Sequence, residues 1–220
     1  MSEPDLRMID RCVETCAEAH QKLLSIADGL SDSDLRGPSA LPGWTRGHVL
    51  NHLRRNAVAF AGMCTAAMAG DQGMQYPGGM EQRNREIEEG ASDPAAVLVA
   101  NLRTAIYELE AVWFHGDGTM WTGSGVIASG AVIPISDVPF RRMREVVVHT
   151  TDLDAGHSWD EWPELYVRME LDRQKMAWAA SHPMGLTQIP AAALAVPDRQ
   201  RLAWLIQRTS IEGLPKGPGL

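Results

Sequence analysis

Apolar residues recur at three- and four-residue steps over four long stretches of this chain, each bounded by turn residues. A pattern of that period and length folds as amphipathic helices packed on one another. The first stretch runs from about Asp5 to Ala27, with Ile9, Cys12, Val13, Cys16, Leu23 and Leu24 on one stripe. The second follows the Pro-Gly turn of LPGWTRGHVLNHLRRNA, takes Thr45 as its N-cap, and carries Val49, His52, Leu53, Val58 and Met63 until Gly70. The third begins at SDPAAVL, where Asp93 is expected to cap and Pro94 to take the first helical position, and runs through Leu109 towards Phe114. The fourth starts near Asp137, with Pro139 in its first turn, and continues to Gly156. Four long helices with long connections predict a mainly α chain built on a helical bundle.

The connections carry less regular signals. A polar loop, GDQGMQYPGGMEQ, and a short helical piece, RNREIEE, separate the second and third helices. From Gly116 to Ser136, spaced glycines and β-branched residues predict an irregular connection with one short strand or hairpin. Its glycines do not make a phosphate loop, because no Gly-Lys-Ser/Thr follows and no glycine fingerprint opens a helix. Beyond GHSWDEWPEL, a fifth helix over about Pro163–Ser181 and a sixth over about Pro197–Arg208 flank HPMGLTQIPAAALAV, and EGLPKGPGL reads as loose coil. The expected domains are therefore a bundle over 1–160 and a small, mostly helical or α/β unit over 161–220. The second is too short to bury a large core alone and is expected to pack on the first.

Composition limits what such a bundle can do. With 220 residues and 45% hydrophobic content the chain can build a core without staples. No apolar run approaches the roughly 18 residues of a membrane helix, and the N-terminus has no basic region followed by an apolar segment. Three cysteines, Cys12, Cys16 and Cys64, form no disulfide framework, so a reducing cytoplasm is the expected setting. A formal charge of −8, with basic residues scattered among acids, argues against nucleic acid. The expected partner is a small molecule, and the expected state a monomer or weak dimer.

One pair of side chains stands out against that background. In REVVVHTTDLDAG, Glu145 and His149 lie four residues apart on an otherwise valine-rich helix, so their Cβ atoms are about 5–6 Å apart and can reach one ion. Bundles hold metals with side chains from facing helices, and His52, on the apolar stripe of the second helix, is the candidate third ligand. Two histidines and one glutamate leave the fourth position of a tetrahedral zinc site open, as catalytic sites do. The alternative is a plain ion pair between Glu145 and Arg142 or Arg144, with His52 a satisfied core residue; spacing alone leaves both open. Cys12, Cys16 and His20 form a rival cluster, but Cys12 and His20 lie about 12 Å apart along the helix axis, too far to share an ion. The cysteines are expected to pack and His20 to sit near a polar centre of the bundle.

Three blocks, LPGWTRGHVLNHLRRNA, YPGGMEQRNREIEEGA and FRRMREVVVHTTDLDAG, in this order and spacing, resemble the mycothiol-dependent maleylpyruvate isomerase family. The resemblance spans about Leu41 to Trp162. It implies a DinB-like four-helix metal-binding bundle whose zinc ligands fall on His52, Glu145 and His149. It implies mycothiol as thiol cosubstrate, held on Zn2+ as thiolate, and an unsaturated dicarboxylate or other electrophile as substrate. Addition of the thiol to cis maleylpyruvate, rotation about the resulting single bond and elimination would give trans fumarylpyruvate. A thiol S-transferase on the same scaffold and a non-catalytic metal-binding module are the alternatives.

The block RLAWLIQRTS resembles the family's C-terminal element and implies a catalytic role for Arg208, beside the reading of a surface cation at a helix end. Gln207 stands where the family has glycine, and the C-terminal unit is shorter than the family's α/β domain. Tyr76 and Arg83, from the second block, are candidates for substrate binding, beside the reading of surface loop residues. The seven tryptophans are dispersed and read as packing residues.

Overall fold

In the computed structural model, which describes residues 4–181 and 188–219, the long helices begin where a side chain can satisfy open backbone N–H groups. Asp5 caps α1 (Leu6–Ala27), accepting the Met8 N–H at 3.2 Å. Ser31 and Asp34 form a capping box on the short α2 (Asp32–Arg36). Thr45 and His48 form another on α3 (Arg46–Met68), as the Thr45 signal predicts. After α4 (Gly79–Gly90), α5 (Ala95–His115) departs from expectation. Pro94, not Asp93, occupies the N-cap position, and proline has no side-chain acceptor. The cap is supplied across the fold by Asp32 Oδ1, which accepts the Ala95 N–H at 2.7 Å.

The glycine-spaced connection contains α6 (Gly118–Thr122) and a hairpin. β1 (Gly73–Met74) pairs in parallel with β2 (Ser124–Val126), which pairs antiparallel with β3 (Val132–Pro134), in the order β1-β2-β3. α7 (Val138–Asp152) ends four residues before Gly156. Asp154 and Gly156, at φ 51° and 86°, take the left-handed conformation that stops a helix.

The chain forms two compact units, Met1–Gly156 and His157–Leu220. In the first, α3 packs most extensively on α5, and α1 on α7. Leu23, Leu50, Leu53, Leu102, Ile106 and Val146 are fully buried in the shared core. Gly47, at the start of α3, allows a close approach: a Cβ there would lie 2.2 Å from the Ala91 carbonyl oxygen. Just beyond it, buried Asn51 donates to the Glu86 and Ile87 carbonyls, both at 2.9 Å, and so clamps the end of α4 onto α3.

A single cation ties the four long helices of this unit together. Arg142 of α7 is fully buried, and its Nη1 donates to the Leu53 carbonyl at 2.8 Å and to Asn56 Oδ1 at 2.9 Å, both on α3. Its Nε donates to His20 Nε2 of α1 at 3.0 Å, which leaves His20 Nδ1–H to donate to Glu110 Oε1 of α5 at 2.8 Å. Burial pushes His20 down to about 4, with the Arg142 charge adding to the effect against the Glu110 hydrogen bond. His20 is thus neutral near pH 7 and sits at the polar centre expected for it. The Cys12, Cys16 and Cys64 thiols are buried, and burial raises the pKa of each, as suits packing residues.

The second unit comprises α8 (Glu164–Ser181), α9 (Ala191–Leu194) and α10 (Asp198–Leu205). Residues 182–187, part of the predicted connection, lie outside the described residues. α10 ends at Leu205, short of Arg208, and Gln207 two residues beyond adopts φ 60°, the left-handed region that favours glycine. Gln207 Nε2 donates to the Gly217 carbonyl at 2.7 Å. The tail is accordingly not loose: Trp204 Nε1 donates to the Pro215 carbonyl and Gly219 N to that of Leu205, each at 2.9 Å. Trp162, Tyr166 and Trp204 are buried in this unit, in keeping with tryptophans used for packing. Among the described residues, no helix is long and apolar enough to cross a membrane.

Candidate metal centre

α3 brings His52 and α7 brings Glu145 and His149 to one point. His52 Nε2 lies 2.9 Å from Glu145 Oε2, and His149 Nε2 lies 3.7 Å from the same oxygen. The two imidazoles meet edge to face with centroids 4.8 Å apart. Among the described residues, this is the one group of at least three His, Cys, Asp or Glu side chains able to hold an ion, its ligand atoms all within 4.8 Å of one another. Tetrahedral donors about 2.0–2.1 Å from a common ion stand about 3.4 Å apart, so side-chain adjustments of about an ångström close the set. Two nitrogens and one carboxylate oxygen are a zinc-type donor set.

The electrostatics favour an ionised Glu145 and an uncharged His52. Burial alone would raise the Glu145 carboxyl, but the His52 hydrogen bond and the charges of His52, His149 and Arg144 outweigh it and draw it to about 2. Burial lowers the His52 pKa. An ionised carboxylate and a neutral imidazole are what a divalent cation needs.

The surrounding contacts orient the rings. His149 Nδ1–H donates to Asp152 Oδ2 at 2.8 Å, and Asp152 is fully buried. This fixes the tautomer whose Nε2 lone pair faces Glu145. Asp152, three residues beyond His149, was missed in the sequence; that i,i+3 spacing on one helical face was its available signal. Asp152→Asn should keep the fold and lower metal affinity about 10–100-fold, read by competition with a chromogenic chelator. Unchanged affinity would show that the contact does not tune the site.

Arg83 sits on α4, not in a loop, and its Nη2 donates to His52 Nδ1 at 2.9 Å. Its guanidinium also lies 5.6 Å from the Tyr76 ring centroid. In this arrangement the His52 proton is on Nε2, directed at Glu145. A metal on Nε2 would shift that proton to Nδ1 and release Arg83 from its acceptor. Trp44 flanks His52, with centroids 5.7 Å apart.

Beside the ligands a cavity of about 320 Å³ is lined by His52, Tyr76, Arg83, Arg141, Arg144 and Glu145, among others. Arg142, the partner considered for Glu145 in the ion-pair alternative, makes its hydrogen bonds to His20, Leu53 and Asn56 instead. Arg144 contributes to the field at Glu145. Arg208, in the second unit, donates through Nη1 to the Ile206 carbonyl at 2.8 Å.

The profile of the mycothiol maleylpyruvate isomerase N-terminal domain matches residues 16–154. A search of curated proteins finds no match. Among solved structures, a crystal structure of the mycothiol-dependent maleylpyruvate isomerase is similar at a TM-score of 0.74 and 23% identity, covering 79% of this chain and 72% of that one. A histidine-to-alanine mutant of that enzyme is similar at the same TM-score and coverage, with 22% identity. These likenesses establish a shared fold, a helical bundle of the kind the sequence predicts.

Proposed function

The chain belongs to the mycothiol maleylpyruvate isomerase N-terminal domain family, and from that premise we propose that it is a zinc- and mycothiol-dependent cis–trans isomerase converting maleylpyruvate to fumarylpyruvate. The observation that carries this reading is the convergence of His52, Glu145 and His149 beside an arginine-lined cavity. Three protein ligands leave a coordination position for a guest, the arrangement of catalytic rather than structural zinc. When bound, the ion supplies an acidic site at which a thiol is held as thiolate near neutral pH.

The chain's own residues have separable tasks in this proposal. His52, Glu145 and His149 hold the ion, and Asp152 orients His149 through its 2.8 Å hydrogen bond. Arg83 and Tyr76 line the substrate side of the cavity, where a guanidinium can bind a carboxylate through two parallel hydrogen bonds. Trp44 shields one side of His52. Arg208 is assigned to stabilising negative charge on the substrate, on the strength of its sequence block. No side chain needs to become covalently attached, because the attacking sulfur belongs to the cosubstrate. The setting proposed with this reaction is the cytoplasm, where such a thiol is kept reduced.

The test is a thiol-dependence assay on purified, zinc-loaded protein. Maleylpyruvate should be converted to fumarylpyruvate only when mycothiol is present, with no net loss of thiol. Thiol consumption without isomerisation, on maleylpyruvate or a panel of electrophiles, would replace this reading with an S-transferase. Absence of any thiol response would leave a metal-binding module.

A further inference from the structure

The segment Arg141-Arg142-Met143-Arg144 is divided by helical geometry between core and cavity. Arg142 turns inward and is fully buried among α1 and α3. Arg141 and Arg144 are half-buried and line the cavity beside Glu145. They stand at i and i+3 on α7, so their Cβ atoms are about 5–6 Å apart. Arg83 approaches the same cavity from α4. The cavity therefore gathers three guanidiniums around a single carboxylate, Glu145, in a chain whose formal charge is −8.

From this placement we infer that Arg141 and Arg144 form the carboxylate-binding wall of the site and select the charge of the electrophile it takes. Guanidiniums bind carboxylates with paired, charge-assisted hydrogen bonds, and the spacing of this pair suits two carboxylates joined by a short carbon chain. Phe60, Met80 and Ile127 supply apolar surface for that chain. About 320 Å³ is room for a small metabolite, at the low end of ligand cavities. Because both arginines share α7 with Glu145 and His149, the wall and the ion are held at fixed separation by one helix. The inference rests on the proposed function for the identity of the electrophile, and adds to it the residues that would select its charge.

Maleate, a cis dicarboxylate that lacks the reactive ketone, is the probe. It would be titrated calorimetrically into the full zinc-loaded chain and into Arg141→Gln, Arg144→Gln, the double variant, and Arg103→Gln as a control at the exposed Asp28 pair. Wild type should bind saturably. Each single substitution should weaken binding about tenfold or more, the loss expected for a charged hydrogen-bond partner. The double variant should show no measurable binding and Arg103→Gln no change. Acetate, a monoanion, should bind far more weakly than maleate. Equal maleate affinity in wild type and double variant, no saturable binding to wild type, or acetate binding as tightly as maleate would each overturn the inference. Circular dichroism and thermal melting establish that the variants are folded. Steady-state kinetics separate the two proposals. Isomerisation with unchanged KM in the double variant refutes the wall and leaves the function standing. Arginine-dependent maleate binding without thiol-dependent isomerisation leaves the wall standing and refutes the function.

Discussion

Glu145→Gln should give a folded bundle that no longer retains metal. Glutamine keeps an oxygen to accept the His52 Nε2–H, now made at 2.9 Å, so the metal-free packing of α3 on α7 survives. What it removes is the anionic member of a three-donor set, and with it the charge that attracts a divalent ion. Affinity should fall by more than the about 100-fold upper end found when outer partners of metal ligands are changed. The purified variant should contain little or no zinc, and any thiol-dependent turnover should vanish with it. A wild-type chain at zinc about 1,000 times its dissociation constant gains about 4 kcal/mol of stability by linkage, seen as a raised melting temperature that the variant should lack. Stoichiometric zinc in the variant, or a melting shift equal to wild type, would refute the ligand assignment. His52→Ala tests the same set from the opposite helix and should likewise abolish tight zinc retention and activity.

The second large effect is expected in the core. Arg142→Met keeps length and apolar bulk but deletes donors to His20, Leu53 O and Asn56. Each buried acceptor left without its donor costs about 1–3 kcal/mol, and the sum is partly offset because a buried cation no longer has to be desolvated. A net loss of about 3 kcal/mol is expected for the first unit, equivalent to a melting temperature lower by roughly 6–12 °C at this chain size. Removing the Arg142 charge also removes one of the causes that hold His20 at about 4, so the His20 titration followed by NMR should move upwards. A variant as stable as wild type, with His20 titrating unchanged, would show that the arginine is a passenger in the core. Because Arg142 bonds to the carbonyl that follows His52 and lies one turn before Glu145, it also sets the spacing between the two ligand-bearing helices.

The four long helices were legible because each carries its own evidence. The stripe of Ile9, Cys12, Cys16, Leu23 and Leu24 and the Asp5 and Thr45 caps are local features, and the structure reproduces them within a residue or two at their starts. The errors lie where the partners come from elsewhere in the chain or the elements are very short. Asp93 looked like a cap because the sequence does not display Asp32, which comes from α2 to do that work. The tail looked loose because its hydrogen bonds run to Trp204, Leu205 and Gln207, the last held in a conformation its residue type does not advertise. α2 and α9 are too short for periodicity to register.

The site divides along the same line. Glu145 and His149 share one helical turn, so their common face follows from covalent spacing and the rise of an α-helix. Asp152 was within the same reach. The sequence by itself thus determined the helices, their inward faces and two of the three ligands. Only tertiary packing could place His52, 93 positions before Glu145, within 2.9 Å of its carboxylate. Packing also laid α4 against α3 through Asn51, which brought Arg83 to His52, and sent Arg142 inward while Arg141 and Arg144 face the cavity. The physical reason is that distances within a helix are set by backbone hydrogen bonds, whereas distances between helices are set by which side chains fill the space between them.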